Sequence, residues 1–222
     1  MHRTSGRIYK VTYGDPKPVK GLDLAKSTDL DLVAFQLHAN EWYGRQARRL
    51  LQERALAGGK MDEAQAALRK MLADNPDVTR KLRAIWALHV TGGLPEKDLV
   101  ALLDHENEHV RAWAVRLLCE GKNPPAAAAE KFAAMAAKDA SPLARLFIAA
   151  MLQRMPLEAR WPIVTALAQR AEDAEDPNLP YMLWYGTEPL VTSDLAKSAA
   201  LAAECKIPFL RTSIARRIAS GK

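Results

Sequence analysis

From about residue 25 onward, apolar positions recur at helical spacing and are interrupted at short intervals by Asn, Asp, Pro and Gly. Five segments align when stacked: WYGRQARRLL (Trp42 to Leu51), TRKLRAIWAL (Thr79 to Leu88), HVRAWAVRLL (His109 to Leu118), PLARLFIAAML (Pro142 to Leu152) and PFLRTSIARRI (Pro208 to Ile218). Each has a basic residue near its start, then small and apolar residues on one helical face. Each follows a polar turn (HANE, DNPDV, DHENE, KDASP, CKIP), and most turns are preceded by another amphipathic run, such as DLDLVAFQL, AQAALRKMLA, KDLVALLD or AEKFAAMAAK. Equivalent segments lie roughly 30 to 37 residues apart, the period of two-helix repeats that bury their apolar faces only by stacking. The pattern predicts an all-α stack of about five to six helical hairpins. Leu50, Leu51, Ala84, Leu88, Ala114, Leu117, Leu118, Ile148 and Met151 should lie between the helices.

The punctuation agrees with that reading. Asp or Asn, present in four of these five turns, stands where an N-cap would accept from the first N–H groups of the second helix. Gly58-Gly59 and Gly92-Gly93 stand where helices close. The beginning of the chain differs. GRIYKVTYG (Gly6 to Gly14), β-branched and aromatic between glycines, reads as one strand followed by the linker DPKPVKG, with a docked or extended tail as the alternative. A lone strand needs partners to be stable, so Arg7, Ile8, Tyr9, Lys10, Val11, Thr12 and Tyr13 are candidates for docking against a sheet edge. The chain divides into residues 1–21, strand and linker, and residues 22–222, helical.

Composition narrows the function classes. With 49% hydrophobic residues among 222, the chain is expected to fold, and no apolar run approaches the roughly 18 residues of a membrane span. MHRTSGRIYK lacks the apolar core of a signal peptide. Cys119 and Cys205, far apart in apolar helical contexts, read as buried thiols rather than a disulfide or a zinc site. A net charge of +6 is mild for a nucleic-acid binder of this length.

The unit L-x-x-L-L-x-H-x-N-x-x-V-R-x-x-A-x-R-L-L, from Leu99 to Leu118, resembles a HEAT repeat, in which the second-helix Arg, here Arg111, hydrogen-bonds to the polar turn of a neighbouring repeat. LHANEWYGRQARRLLQERA, LRAIWALHVTGGL, LLDHENEHVRAWAVRLL and LPYMLWYGTEPLV, in that order, look like the helical region of large multidomain proteins of planctomycetes and their relatives described as membrane-bound dehydrogenases. Those proteins combine a quinoprotein-like β-propeller, a HEAT-like helical domain and a c-type cytochrome domain. The resemblance implies a HEAT-like α-solenoid over residues 22–222 and a last propeller strand and linker over 1–21. It also implies an extracytoplasmic parent whose redox chemistry resides in other domains. No C-x-x-C-H occurs in this chain, so the covalent haem motif of that family is absent from it and no cofactor is expected.

His105-Glu-Asn-Glu-His109 spells the H-E-x-x-H zinc-protease signature. A zincin needs both histidines on one face of an uninterrupted helix, whereas this motif spans a turn between helices, so neither catalysis nor metal binding is assigned to it. His89 and His38 read as packed or corner residues. Trp42, Trp86, Trp113, Trp161 and Trp184 read mainly as packing between hairpins, with a peptide or cofactor surface as the lesser reading. No phosphate loop or nucleophile triad stands out, and no catalytic residue is named.

One surface is a functional candidate. The second helices supply Arg45, Arg48, Arg80, Arg83, Arg111, Arg116, Arg145, Arg211 and Arg216, and if half of them face a shared groove it would attract an acidic partner. The favoured reading is a non-catalytic interaction and spacer module whose partners are proteins: flanking propeller or cytochrome domains, or an acidic protein. The alternative is a nucleic-acid-binding solenoid such as a HEAT-like DNA glycosylase, against which stand the orphan strand and the lack of an excision set.

Overall fold

The computed structural model describes residues 6, 9–15, 17 and 19–221. Twelve α-helices occur among them, paired as six antiparallel hairpins: α1 (Asp29–Ala34) with α2 (Glu41–Leu56), α3 (Asp62–Asp74) with α4 (Val78–Val90), α5 (Glu96–Leu102) with α6 (Glu108–Leu118), α7 (Ala126–Lys138) with α8 (Pro142–Met151), α9 (Leu157–Ala168) with α10 (Leu179–Ser193), and α11 (Leu195–Glu204) with α12 (Pro208–Ala219). Each even-numbered helix packs on the next, from α2 through to α12, forming one continuous layer. Among the odd-numbered helices α1 packs on α3, α7 on α9 and α9 on α11.

The local chemistry that starts these helices is repeated. Asn40 accepts from the Trp42 N–H at 3.0 Å, Asp77 from Thr79 at 2.8 Å, Asn107 from His109 at 3.0 Å and Ser141 from Ala144 at 3.1 Å. Four successive second helices therefore begin on a side-chain oxygen that satisfies an otherwise orphaned donor; three are the Asp or Asn expected, and at α8 Ser141 takes the place of Asp139. At the far ends, Gly58 (φ +83°) and Gly92 (φ +72°) take the left-handed conformation that closes α2 and α4. The following N–H groups of Gly59 and Gly93 return to the Arg54 and Leu88 carbonyls at 3.0 and 2.8 Å. Lys81 reaches back across its turn to the last carbonyls of α3, Leu72 O at 2.6 Å and Ala73 O at 3.0 Å.

The core runs between the two layers. Leu51, Ala84, Leu88, Ala114, Leu117, Leu118 and Ile148 are buried as expected, while Leu50 and Met151 are half-buried against it. Leu32, Leu68, Leu103, Phe132, Leu152, Leu167 and Leu183 continue it through the stack, each removing apolar surface worth roughly 1.5–3 kcal/mol from water. Close approach is built in at Gly186 on α10, where an added Cβ would lie 2.5 Å from the Leu152 Cβ. Cys119 and Cys205 are both buried, and burial pushes the Cys119 thiol up to about 12.

At the beginning of the chain the described residues follow the extended-tail alternative. Among the described residues Tyr9 to Asp15 there is no strand, and Tyr9, Val11 and Tyr13 are exposed rather than docked on the helices. Arg7 and Ile8 lie outside the described residues. A strand is defined by its ladder, and no neighbouring strand is present among the described residues to supply the other half.

Candidate interaction groove

Three of the nine second-helix arginines are committed to holding hairpins together. Arg111, in the first turns of α6, places its Nη1 on the His105 and Glu106 carbonyls of its own turn, both at 2.9 Å. Its Nε and Nη2 grip both oxygens of Asp139 in the next turn at 2.8 and 2.7 Å. Arg145 repeats the arrangement one hairpin later. Nη1 donates to the Asp139 carbonyl at 2.7 Å, Nε donates to Asp173 Oδ2 at 2.6 Å, and Nη2 donates to Asp173 Oδ1. In both cases Arg and Asp are 28 positions apart. Arg145 and Asp173 are each 2% exposed. The Asp173 hydrogen bonds hold the Arg145 guanidinium above its ordinary pKa. Burial alone would raise Asp139, but the hydrogen bonds from Arg111 and the Ser141 N–H outweigh it and hold that carboxyl below its usual range. Arg83, buried in α4, reaches the opposite way and donates to the Gln36 and His38 carbonyls, both at 2.8 Å, and to Glu41.

The role expected for Arg111 is thus observed, and the same role draws Arg83 and Arg145 out of the set available to a partner. Arg80 stays beside Asp77, with its Nε 3.7 Å from Oδ2. Arg211 is exposed on α12, and Arg216 lies at that end of the stack beside Trp184. Arg45, Arg48 and Arg116 converge elsewhere. With the Arg83 side chain as part of the wall, they line an open groove of about 650 Å³ across α2, α4 and α6.

Two tryptophans form the floor of that groove. Trp86 and Trp113 meet edge to face with centroids 4.9 Å apart. The Arg48 guanidinium sits 5.1 Å over the Trp86 ring and that of Arg116 sits 4.8 Å over Trp113, so each indole carries a cation on its face. Arg48 Nη1 and Trp86 Nε1 are buried without a hydrogen-bond acceptor. Burial depresses the Arg48 pKa; Glu41 opposes this, and Arg83 and Arg45 add to it. Glu41 also borders the groove, but it is engaged by Arg83 and lies 3.6 Å from Arg45 Nε. Glu120 lies 2.5 Å from His89 Nε2. Leu82, Val90 and Leu117 supply the remaining apolar lining.

Past Arg116 and Glu120 the groove adjoins a second hollow of about 420 Å³. Leu146, Phe147, Ala150 and Met151 of α8 and Met182 of α10 line it, with Arg154 at its edge. Sequence reasoning named none of these as site residues. Nothing local marks the five apolar ones, since each is an apolar position on a helix whose outward face is decided by its neighbours.

The H-E-x-x-H stretch is broken as expected. α5 ends at Leu102 and α6 begins at Glu108, so His105 lies in the turn and His109 in the first turn of the helix. His105 Nδ1 accepts from the Asn107 N–H at 3.0 Å. Desolvation, then Lys81, lowers its pKa, with Glu106 opposing. The two imidazoles serve a corner rather than one helical face, and no group of three or more His, Cys, Asp or Glu with metal-binding geometry occurs among the described residues.

The chain matches no protein-family model, and no curated protein matches it.

Proposed function

We propose that the chain is a non-catalytic interaction and spacer module made of stacked helical hairpins, and that its partners are proteins. The observation that carries this reading is the groove itself: Arg48 and Arg116 lie over Trp86 and Trp113 on an open face, and neither forms an ion pair among the described residues. Arginine and tryptophan are the residues most often responsible for binding energy at protein interfaces. The resemblance to the helical region of the planctomycete dehydrogenase-like proteins supports a spacer role beside a propeller and a cytochrome domain, and an extracytoplasmic parent. Sequencing the gene on both sides of this region tests that parentage: propeller strands upstream and a C-x-x-C-H motif downstream are expected.

A DNA-acting role is the outcome to exclude. A protein that neutralises many phosphates loses affinity steeply with salt, by roughly 0.9 log units per contact per log unit of salt. Titration of labelled duplex DNA at about physiological salt should give no better than the 10⁻⁴ to 10⁻⁶ M of non-specific contacts. Methylated-base excision should be undetectable. Nanomolar, steeply salt-dependent binding or measurable excision overturns the interaction reading.

A further inference from the structure

We infer that the groove over Trp86 and Trp113 receives an extended acidic segment of a protein partner, with carboxylates at Arg48 and Arg116 and an apolar side chain between them. This deepens the interaction reading above and rests on it. Charge complementarity selects the occupant. The two acids of the groove are already engaged, Glu41 by Arg83 and Glu120 by His89, which leaves the guanidiniums of Arg48 and Arg116 over aromatic faces without an ion pair of their own among the described residues. A guanidinium over a ring keeps its capacity for charge-assisted hydrogen bonds, and the fork of donors suits a carboxylate. Arg48, with Nη1 lacking any acceptor, is the less satisfied of the two.

Spacing and shape narrow the class further. The stack of ring and cation contacts puts no more than about 15 Å between the two guanidiniums. An extended chain rises about 3.3 Å per residue, so one segment of about five residues reaches both. Side chains two apart share a face of such a segment, which sets an apolar residue over the Leu82, Val90 and Leu117 lining between two acids. Single-stranded nucleic acid fits less well. Base stacking needs an open aromatic face, yet here one face of each indole carries an arginine and the rings pack edge to face on each other. The chain's own first residues are poorly matched, since Lys10, Lys17 and Lys20 carry the same sign as the groove.

The test is a selection of random displayed peptides on the full chain, followed by fluorescence anisotropy of the labelled consensus peptide. The expected consensus has two Asp or Glu residues within about five positions, flanking an apolar residue. Arg48→Gln and Arg116→Gln should each weaken it about tenfold or more, and Arg211→Gln should leave it unchanged. Circular dichroism of each variant confirms that the helices persist, and because Arg116 is exposed its replacement tests the groove without threatening the fold. Quenching or shift of tryptophan emission on binding should accompany the affinity. A consensus without acids, or binding that survives both Gln variants, overturns the groove assignment while leaving an interaction module in place. Failure to select any peptide overturns it too. If a thymidine oligonucleotide then binds at nanomolar concentration, the interaction reading falls as well.

Discussion

Arg111 and Arg145 on one side, and Arg48 and Arg116 on the other, are the same residue type on the same layer of helices, yet their surroundings are opposite. The first pair sits one turn into α6 and α8, where side chains lean back over the N-terminus and meet the bare carbonyls and Asx carboxylates of the turns. The second pair sits about two turns into α2 and α6, beyond reach of any turn, and rests on indole rings without an ion pair among the described residues. Acceptors offered by an adjacent turn, rather than depth along the helix alone, therefore separate arginines that bind the hairpins together from arginines left to bind something else. Arg211 sits as deep in α12 as Arg145 does in α8 and is exposed. A positive patch counted from sequence overstates the charge that a partner meets.

The comparison is broken most directly at its buried end. Asp173→Ala leaves Arg145 charged and unpaired in a site 2% exposed, a loss of about 3–5 kcal/mol. In a chain of this size each kcal/mol moves the melting temperature by roughly 2–4 °C, so a thermal melt followed by circular dichroism should fall by on the order of 10 °C. A shift of a degree or less would mean that the ladder contributes nothing.

Asp139 offers a second, pH-dependent test. Its carboxyl titrates lower in the folded chain than the ordinary value of about 3.9, so its contribution is fully present above that pH and is lost as pH falls through the lower folded value. The acid limb of stability, measured by urea unfolding between about pH 5 and 2, should therefore steepen below about pH 4. Asp139→Asn should flatten that limb. At neutral pH it should cost about 1.5–3 kcal/mol, since it removes hydrogen bonds to a charged group. An unchanged acid limb in the variant would detach Asp139 from the ladder.

At the other end, Arg48→Ala combined with Arg116→Ala should change stability by about 1–2 kcal/mol, because two cation–π contacts of about 0.5–1 kcal/mol each are lost. A penalty equal to that of Asp173→Ala would erase the distinction between the two regions.

The smallest effect is expected at the corner that imitates a zinc site. His105→Ala with His109→Ala should leave the melting temperature nearly unchanged, since substitutions away from packed features usually stay within about 0.5 kcal/mol. Elemental analysis should find substoichiometric zinc in the parent protein. A tightly held equivalent that vanishes in the double variant would reverse the reading of that turn.

Much of the architecture is legible in the order of residues alone. The apolar spacing of HVRAWAVRLL and its relatives marks the second helices, and Asn40, Asp77 and Asn107 mark their first residues. The glycines at 58 and 92 mark their ends, and the turn through Asn107 argues against a continuous H-E-x-x-H helix. These are short-range properties: a cap, a left-handed glycine and a helical period are each decided within a turn or two of chain.

The groove is only half legible. Its arginines can be named, but as part of a larger set from which Arg83, Arg111 and Arg145 have to be removed. Trp86 and Trp113 read chiefly as packing, because their meeting and their two cations depend on how α2, α4 and α6 are placed beside one another. GRIYKVTYG shows the converse, since strand propensity without a neighbouring strand leaves Tyr9 to Asp15 exposed and unpaired among the described residues. By itself the sequence determined where helices begin, end and turn their apolar faces, because those are local hydrogen-bonding and periodicity effects. The tertiary structure decided which charges are neutralised, because a guanidinium's acceptor stands 28 positions away and is brought within reach only by the stacking of hairpins.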